Sequence, residues 1–184
     1  MKDKLLIFKE ENISVKQTVY IVILTMILSG IFGFVYETIF YKIDLGYFVK
    51  RGSTFGPWIP IYAFGSLFVL FTTYRIKKYP LIVFLISCLV TGILEYFTGL
   101  VFYEFWGLRL WDYNTEIWNW GNINGYICLR SVLFFGTSSL ILMYGMIPLI
   151  KRIVLKYKEK NIGTISIILA ILFSLDIVLY GILK

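Results

Sequence analysis

Eight ionisable side chains of this chain stand where chemistry is possible: the carboxylates of Glu37, Glu95, Glu104, Asp112 and Asp176 and the guanidinium groups of Arg51, Arg109 and Arg130. Glu37, Glu95, Arg130 and Asp176 lie inside apolar runs long enough to cross a bilayer. A charge held in hydrocarbon is costly unless it pairs or lines a wet cavity, so such residues are seldom idle. The set admits two uses. Acids and arginines can pair across helices and fix their register. They can also receive a cationic or zwitterionic ligand, the acids taking an ammonium group and arginine an acid group. Glu95 or Asp176 can further serve as a proton relay.

A second constellation, Lys50-Arg51-Gly52-Ser53-Thr54-Phe55-Gly56-Pro57-Trp58-Ile59-Pro60, leads into an apolar run. Gly52 and Gly56 permit tight backbone geometry, and Pro57 and Pro60 suit a helix's first turn. Such a loop can present N–H donors to an anion, with Arg51 as a bidentate fork. It is equally well read as a turn that leaves Arg51 at the headgroups. Histidine is absent, which removes imidazole acid–base catalysis, the Ser-His-Asp triad and the usual imidazole ligation of zinc and haem. Cys88 and Cys128 each sit in an apolar run and read as small hydrophobes. No P-loop, dinucleotide fingerprint or clustered Cys/His pattern occurs. The expected cofactor set is therefore none, and P-loop ATP hydrolysis is not expected of this chain.

These residues must be positioned by membrane helices. The 184 residues are 59% hydrophobic with a mean hydropathy of +0.79, against about 45–50% apolar for a soluble domain. Five runs, Val19–Tyr41, Trp58–Tyr74, Leu81–Phe102, Tyr126–Ile150 and Ile162–Leu183, reach or approach the ~20 residues of a span. The second is the shortest and can begin as early as Phe55. The reading is an all-α polytopic protein of the cell membrane with about five transmembrane helices, forming one transmembrane domain over 1–184. The first run, without an A-x-A-like cleavage site, reads as a retained span.

Lysine and arginine set the orientation. Lys2, Lys4, Lys9 and Lys16 precede the first run, Arg75, Lys77 and Lys78 follow the second, and Lys151, Arg152, Lys156, Lys158 and Lys160 follow the fourth. The opposite loops and end hold Lys42, Lys50, Arg51, Arg109 and Lys184. The N-terminal segment 1–17 is thus expected to be cytoplasmic and the C-terminus outside, which puts the four intramembrane charges in the outer half. Lysines gathered between apolar runs orient a membrane protein, and nucleic-acid binding is not expected. Residues 103–125 carry four of the five tryptophans with Glu104, Arg109 and Asp112. They read either as an aromatic interfacial belt or as a lid-like segment over the polar site. Ser29, Gly30 and Gly33, with Gly92 and Gly99, allow close helix approach.

Several short motifs occur together: Gly33-Phe34-Val35-Tyr36-Glu37-Thr38, Arg51-Gly52 with Gly56-Pro57 and Pro60-Ile61-Tyr62, Leu94-Glu95-Tyr96, Leu110-Trp111-Asp112-Tyr113, Asn124-Gly125-Tyr126-Ile127 and Leu129-Arg130-Ser131. In this order over residues 33–136 they resemble the bacterial family of type IV ABC-transporter permeases. Ala63 and Phe135-Gly136 depart from its pattern, and Asp176 matches none of its motifs. The resemblance implies a membrane protein of ABC transport; the expected role is a transport component, permease-like or substrate-binding, partnered by lipids and a separate cytoplasmic ATPase, and the acids and arginines suit a small polar or zwitterionic ligand. It supplies no catalytic residues. An enzyme acting on lipid or envelope precursors at the outer leaflet, with Glu95 or Glu37 as base, is the alternative, and a non-catalytic scaffold is the third reading.

Overall fold

Phe8 and residues 13–183 are described by the computed structural model. Lys2, Lys4, Lys9 and Lys184, counted above for orientation, lie outside them. Among the described residues the α-helices are α1 (Val15–Leu45), α2 (Pro60–Thr73), α3 (Pro80–Trp106), α4 (Leu129–Ile141), α5 (Ile147–Lys156) and α6 (Glu159–Leu183). A π-turn over Leu142–Met146 joins α4 to α5, so that Leu129–Lys156 is one continuous rod. Four rods, α1, α3, α4–α5 and α6, are long and apolar enough to cross a membrane. The fold is that of an all-α polytopic membrane protein.

Local chemistry sets the ends. Ser14 accepts from Gln17 N at 3.1 Å while the Gln17 side chain accepts from Ser14 N, a reciprocal cap that starts α1. Gly46, at φ 82°, takes the left-handed conformation that ends it. Pro80 occupies the first turn of α3, where a missing N–H costs nothing. Inside the fourth rod Pro148 has no N–H to donate, and the neighbouring π-turn takes up the interruption.

The rods α1, α3 and α6 run in one direction and α4–α5 in the other. The carboxylate of Asp44, near the end of α1, accepts from Ile117 N at 3.1 Å in the loop after α3. At the opposite end Lys16 lies 3.8 Å from Glu159. That second end holds an apolar core in which Ile21, Leu70, Val83, Ile147, Ile150 and Val154 are fully enclosed. Phe8 joins it, edge-on to Tyr74 at 4.7 Å between ring centroids. The charged network described below lies at the loop end.

Hydrophobic burial drives little of this packing, because the outer faces of α1, α3 and α6 keep their large aliphatics exposed for lipid. Close contact has to come from small residues. Gly30 faces Trp58 and Ala63, Gly92 faces Ile127 and Val132, and Gly99 faces Trp111 and Tyr126. Gly33 is the tightest case, since a Cβ there would enter the ring of Tyr62. Gly33→Ala is therefore expected to cost about 1–3 kcal/mol of stability through overpacking, read as a lower thermal midpoint in detergent; an unchanged midpoint would contradict the α1–α2 contact.

The second apolar run departs from expectation. Its helix begins only at Pro60 and spans about 21 Å, against about 46 Å for α1. Residues 47–59 reach α2 as non-helical chain. Ile59 N donates to the carbonyl of Gly30, the midpoint of α1, at 3.0 Å. Irregular backbone at that depth is tolerated only when protein satisfies its polar groups.

Candidate functional site

The carboxylate that satisfies this backbone is Asp176 of α6. Its oxygens accept from Phe55 N and Gly56 N, each at 2.8 Å, and from the Trp58 indole N–H at 2.6 Å. Thr54 completes the turn by donating to the Trp58 carbonyl at 2.6 Å. The loop does cradle an anion, as its glycines suggest, and that anion belongs to the chain itself. Asp176 shares no hydrogen bond or ion pair with Glu37, Glu95 or Arg130 among the described residues, so the four intramembrane charges do not form one cluster.

Two of the other three, Glu37 and Arg130, are linked through Arg51, Tyr41 and Glu116. Glu37 of α1 accepts from Arg51 Nε at 3.1 Å, and the buried side chain of Tyr62 from α2 lies beside this acid. The Arg51 guanidinium lies 3.6 Å from the centre of the Tyr41 ring. The Tyr41 hydroxyl donates to Glu116, whose other oxygen accepts from Arg130 at 2.5 Å. Arg130, in the first turn of α4, lies over Phe40 at 4.1 Å and reaches toward Tyr113 at 5.4 Å. Glu37, Arg51, Glu116 and Arg130 thus form two ion pairs joined through Tyr41. Burial pushes the Glu116 carboxyl above the usual glutamate range, and the Tyr41 hydroxyl and the Arg130 guanidinium pull it back only in part.

Glu95 of α3 sits beside this chain of charges and takes no part in it. It is 3% exposed, and no cation lies within ion-pair distance of it among the described residues. Its partners are hydroxyls: Tyr113 donates to one oxygen, and Ser131 Oγ lies 2.8 Å from the other. Below it a cavity of about 50 Å³ runs between α1, α2, α3 and α4; its wall is almost wholly apolar, with Ser29, Ser66, Thr91, Ser138 and Ser139 among the residues around it.

Glu104, Arg109 and Asp112 are held elsewhere. Arg109 lies 3.5 Å from Asp112, donates to the Asn124 carbonyl at 2.6 Å and covers the Tyr103 ring. Glu104 accepts from the Tyr126 hydroxyl at 3.2 Å. Asp112 also accepts from Asn114, and Asn122 bonds both Asn114 and Gly125 N. These residues build the 107–128 loop and share no hydrogen bond or ion pair with Glu95. The loop delivers Tyr113 and Glu116 inward, while Trp106, Trp118 and Trp120 stay exposed. Glu116 is the charged-network residue that the sequence reading missed. The one available signal was a carboxylate beside Ile117 and Trp118 in a tryptophan-rich segment.

Cys88 and Cys128 are free thiols, and no cluster of acids and cysteines suited to a metal ion occurs among the described residues. No curated protein and no solved structure matches the chain. A family match does exist, and it spans residues 23–180, taking in α1 from its third turn, the Asp176-bound loop, the charged pairs and Glu95. On that match the chain belongs to the family described as "Putative ABC-transporter type IV".

Proposed function

We propose that this chain is the permease-like or substrate-binding subunit of a transport system in the cell membrane, working with a separate cytoplasmic ATPase. It forms a single transmembrane domain of five spans, with its N-terminus cytoplasmic and the 107–128 loop outside. The observation that best supports transport is Glu95, an enclosed acid with no counter-ion among the described residues, at the head of a small internal cavity. An acid that only braced helices would have an arginine partner, as Glu37 and Glu116 do. Glu37, Arg51, Glu95, Glu116 and Arg130 then make a polar site in the outer half of the bilayer for a small polar or zwitterionic ligand. Glu104, Arg109 and Asp112 hold the loop above it. At the opposite end Arg75, Lys78, Arg152, Lys156, Lys158 and Lys160 offer a basic surface suited to an acidic face of the ATPase.

The test is mild-detergent purification from native membranes followed by native mass spectrometry. A P-loop ATPase is expected at fixed stoichiometry, and its loss is expected when Lys156, Lys158 and Lys160 are changed to glutamate. Transport or turnover by the reconstituted chain alone, without ATP, would overturn the reading. Orientation has its own test, in a background lacking Cys88 and Cys128. An impermeant maleimide added to intact cells is expected to label cysteine at Asn122 and to spare it at Lys158; the reverse pattern would invert the topology.

One observation favours a second reading, an enzyme acting on lipid at the outer leaflet. A groove of about 340 Å³ opens beside Arg130, walled by Tyr36, Ile39, Phe40, Ile43, Trp118 and Phe134. A lipid that copurifies chemically altered, and that Trp118→Ala releases, would move the assignment from transport to lipid chemistry.

A further inference from the structure

Ser131 makes more contacts than its one proton can serve. Its Oγ lies 2.8 Å from Glu95 Oε2 and 2.8 Å from the Cys128 carbonyl, and it accepts from Cys128 N at 3.3 Å. A hydroxyl has one hydrogen to give. Two bonding patterns therefore fit the same heavy-atom positions. In the first, Glu95 is ionised and Ser131 donates to Oε2, while the Cys128 carbonyl keeps its bond from Val132 N at 3.2 Å. In the second, Glu95 carries a proton on Oε2 and donates it to Ser131, which turns its own hydrogen to the Cys128 carbonyl. Tyr113 donates to Oε1 in both.

We propose that Glu95, Ser131 and Tyr113 form a reversible proton-binding site. This deepens the transport reading by naming the proton as a ligand of its polar site, and it rests on that reading only for what the proton drives. The groups facing Glu95 are Tyr62 from α2, Ser131 and Arg130 from α4, and Tyr113 and Glu116 from the 107–128 loop. The Arg130 guanidinium is bonded to Glu116, so Glu95 changes charge without breaking an ion pair. The bond made is O–H on Oε2, from a proton that water delivers, and the bond broken on release is the same one.

The test is infrared difference spectroscopy on the full chain in lipid nanodiscs while pH is cycled. One carboxylic-acid carbonyl band is expected to rise and fall reversibly, to shift within mixing time on transfer to deuterated water, and to be missing in Glu95→Gln. Ser131→Ala, which keeps the acid, is expected to move the band's frequency and its midpoint. A folded Glu95→Gln variant with the same pH-dependent carboxyl bands as the parent would overturn the proposal, as would a Ser131→Ala band unchanged in frequency and midpoint. ATPase copurification does not depend on this band, so a missing partner and a missing band are separate failures.

Discussion

Arg130→Met is expected to destabilise the protein by about 3–5 kcal/mol, the range for removing one member of a buried ion pair. The reason lies in what stays behind. The Glu116 side chain is 4% exposed, and its bonds are from Arg130 and from the Tyr41 hydroxyl. Without the guanidinium it is a charge enclosed among aromatic rings with one hydroxyl for company. Glu116→Gln strands Arg130 in turn over Phe40, with its Nε already lacking a partner. The double variant Glu116→Gln with Arg130→Met removes both charges and is expected to regain most of the loss, because well-packed neutral pairs replace buried ion pairs at little cost. Thermal unfolding in detergent, followed by size-exclusion recovery, gives all three values. A double variant that loses the sum of the two single losses would mean that the two residues do not act as a pair.

The second large effect belongs to Asp176→Ala. Its carboxylate holds two backbone N–H groups and an indole N–H, and an enclosed donor left without an acceptor costs about 1–3 kcal/mol. Part of the site is open at the helix surface, which discounts the sum to about 2–4 kcal/mol overall. Asp176→Asn retains one carbonyl oxygen and is expected to lose about half as much. The damage has an address, since the released segment carries Lys50 and Arg51. Limited trypsin digestion is expected to cut there in Asp176→Ala well before it cuts the parent. Equal cleavage rates would show that Asp176 does not hold the loop.

Much of the helical layout was legible because a span must be apolar along its whole length, and that signal survives in a single sequence. The second run misled because hydropathy measures where a residue is soluble and says nothing of backbone form. Trp58–Tyr74 is continuously apolar, yet its helix waits for Pro60. Pro57 and Pro60 were the only marks of the change. Within the site, Glu37, Arg51, Glu95 and Arg130 stood out as charges in or beside hydrocarbon. Glu116 did not, since a loop carboxylate has no periodicity and its burial depends on where the loop folds back. Asp176 was visible as a costly charge, while its partners, 120 and 121 positions away, could not be read from spacing. Glu104, Arg109 and Asp112 looked like site residues because they are charged, and the structure uses them to shape a loop.

That same separation governs biogenesis. Phe55 and Gly56 enter the bilayer long before Asp176 is synthesised, so during insertion their N–H groups have no acceptor on the chain and must stay near water or other helpers. The bonds by which Asp176 seats the segment between α1 and α2 therefore form only after α6 has been made, and a chain halted before residue 176 is expected to carry this loop without its acceptor.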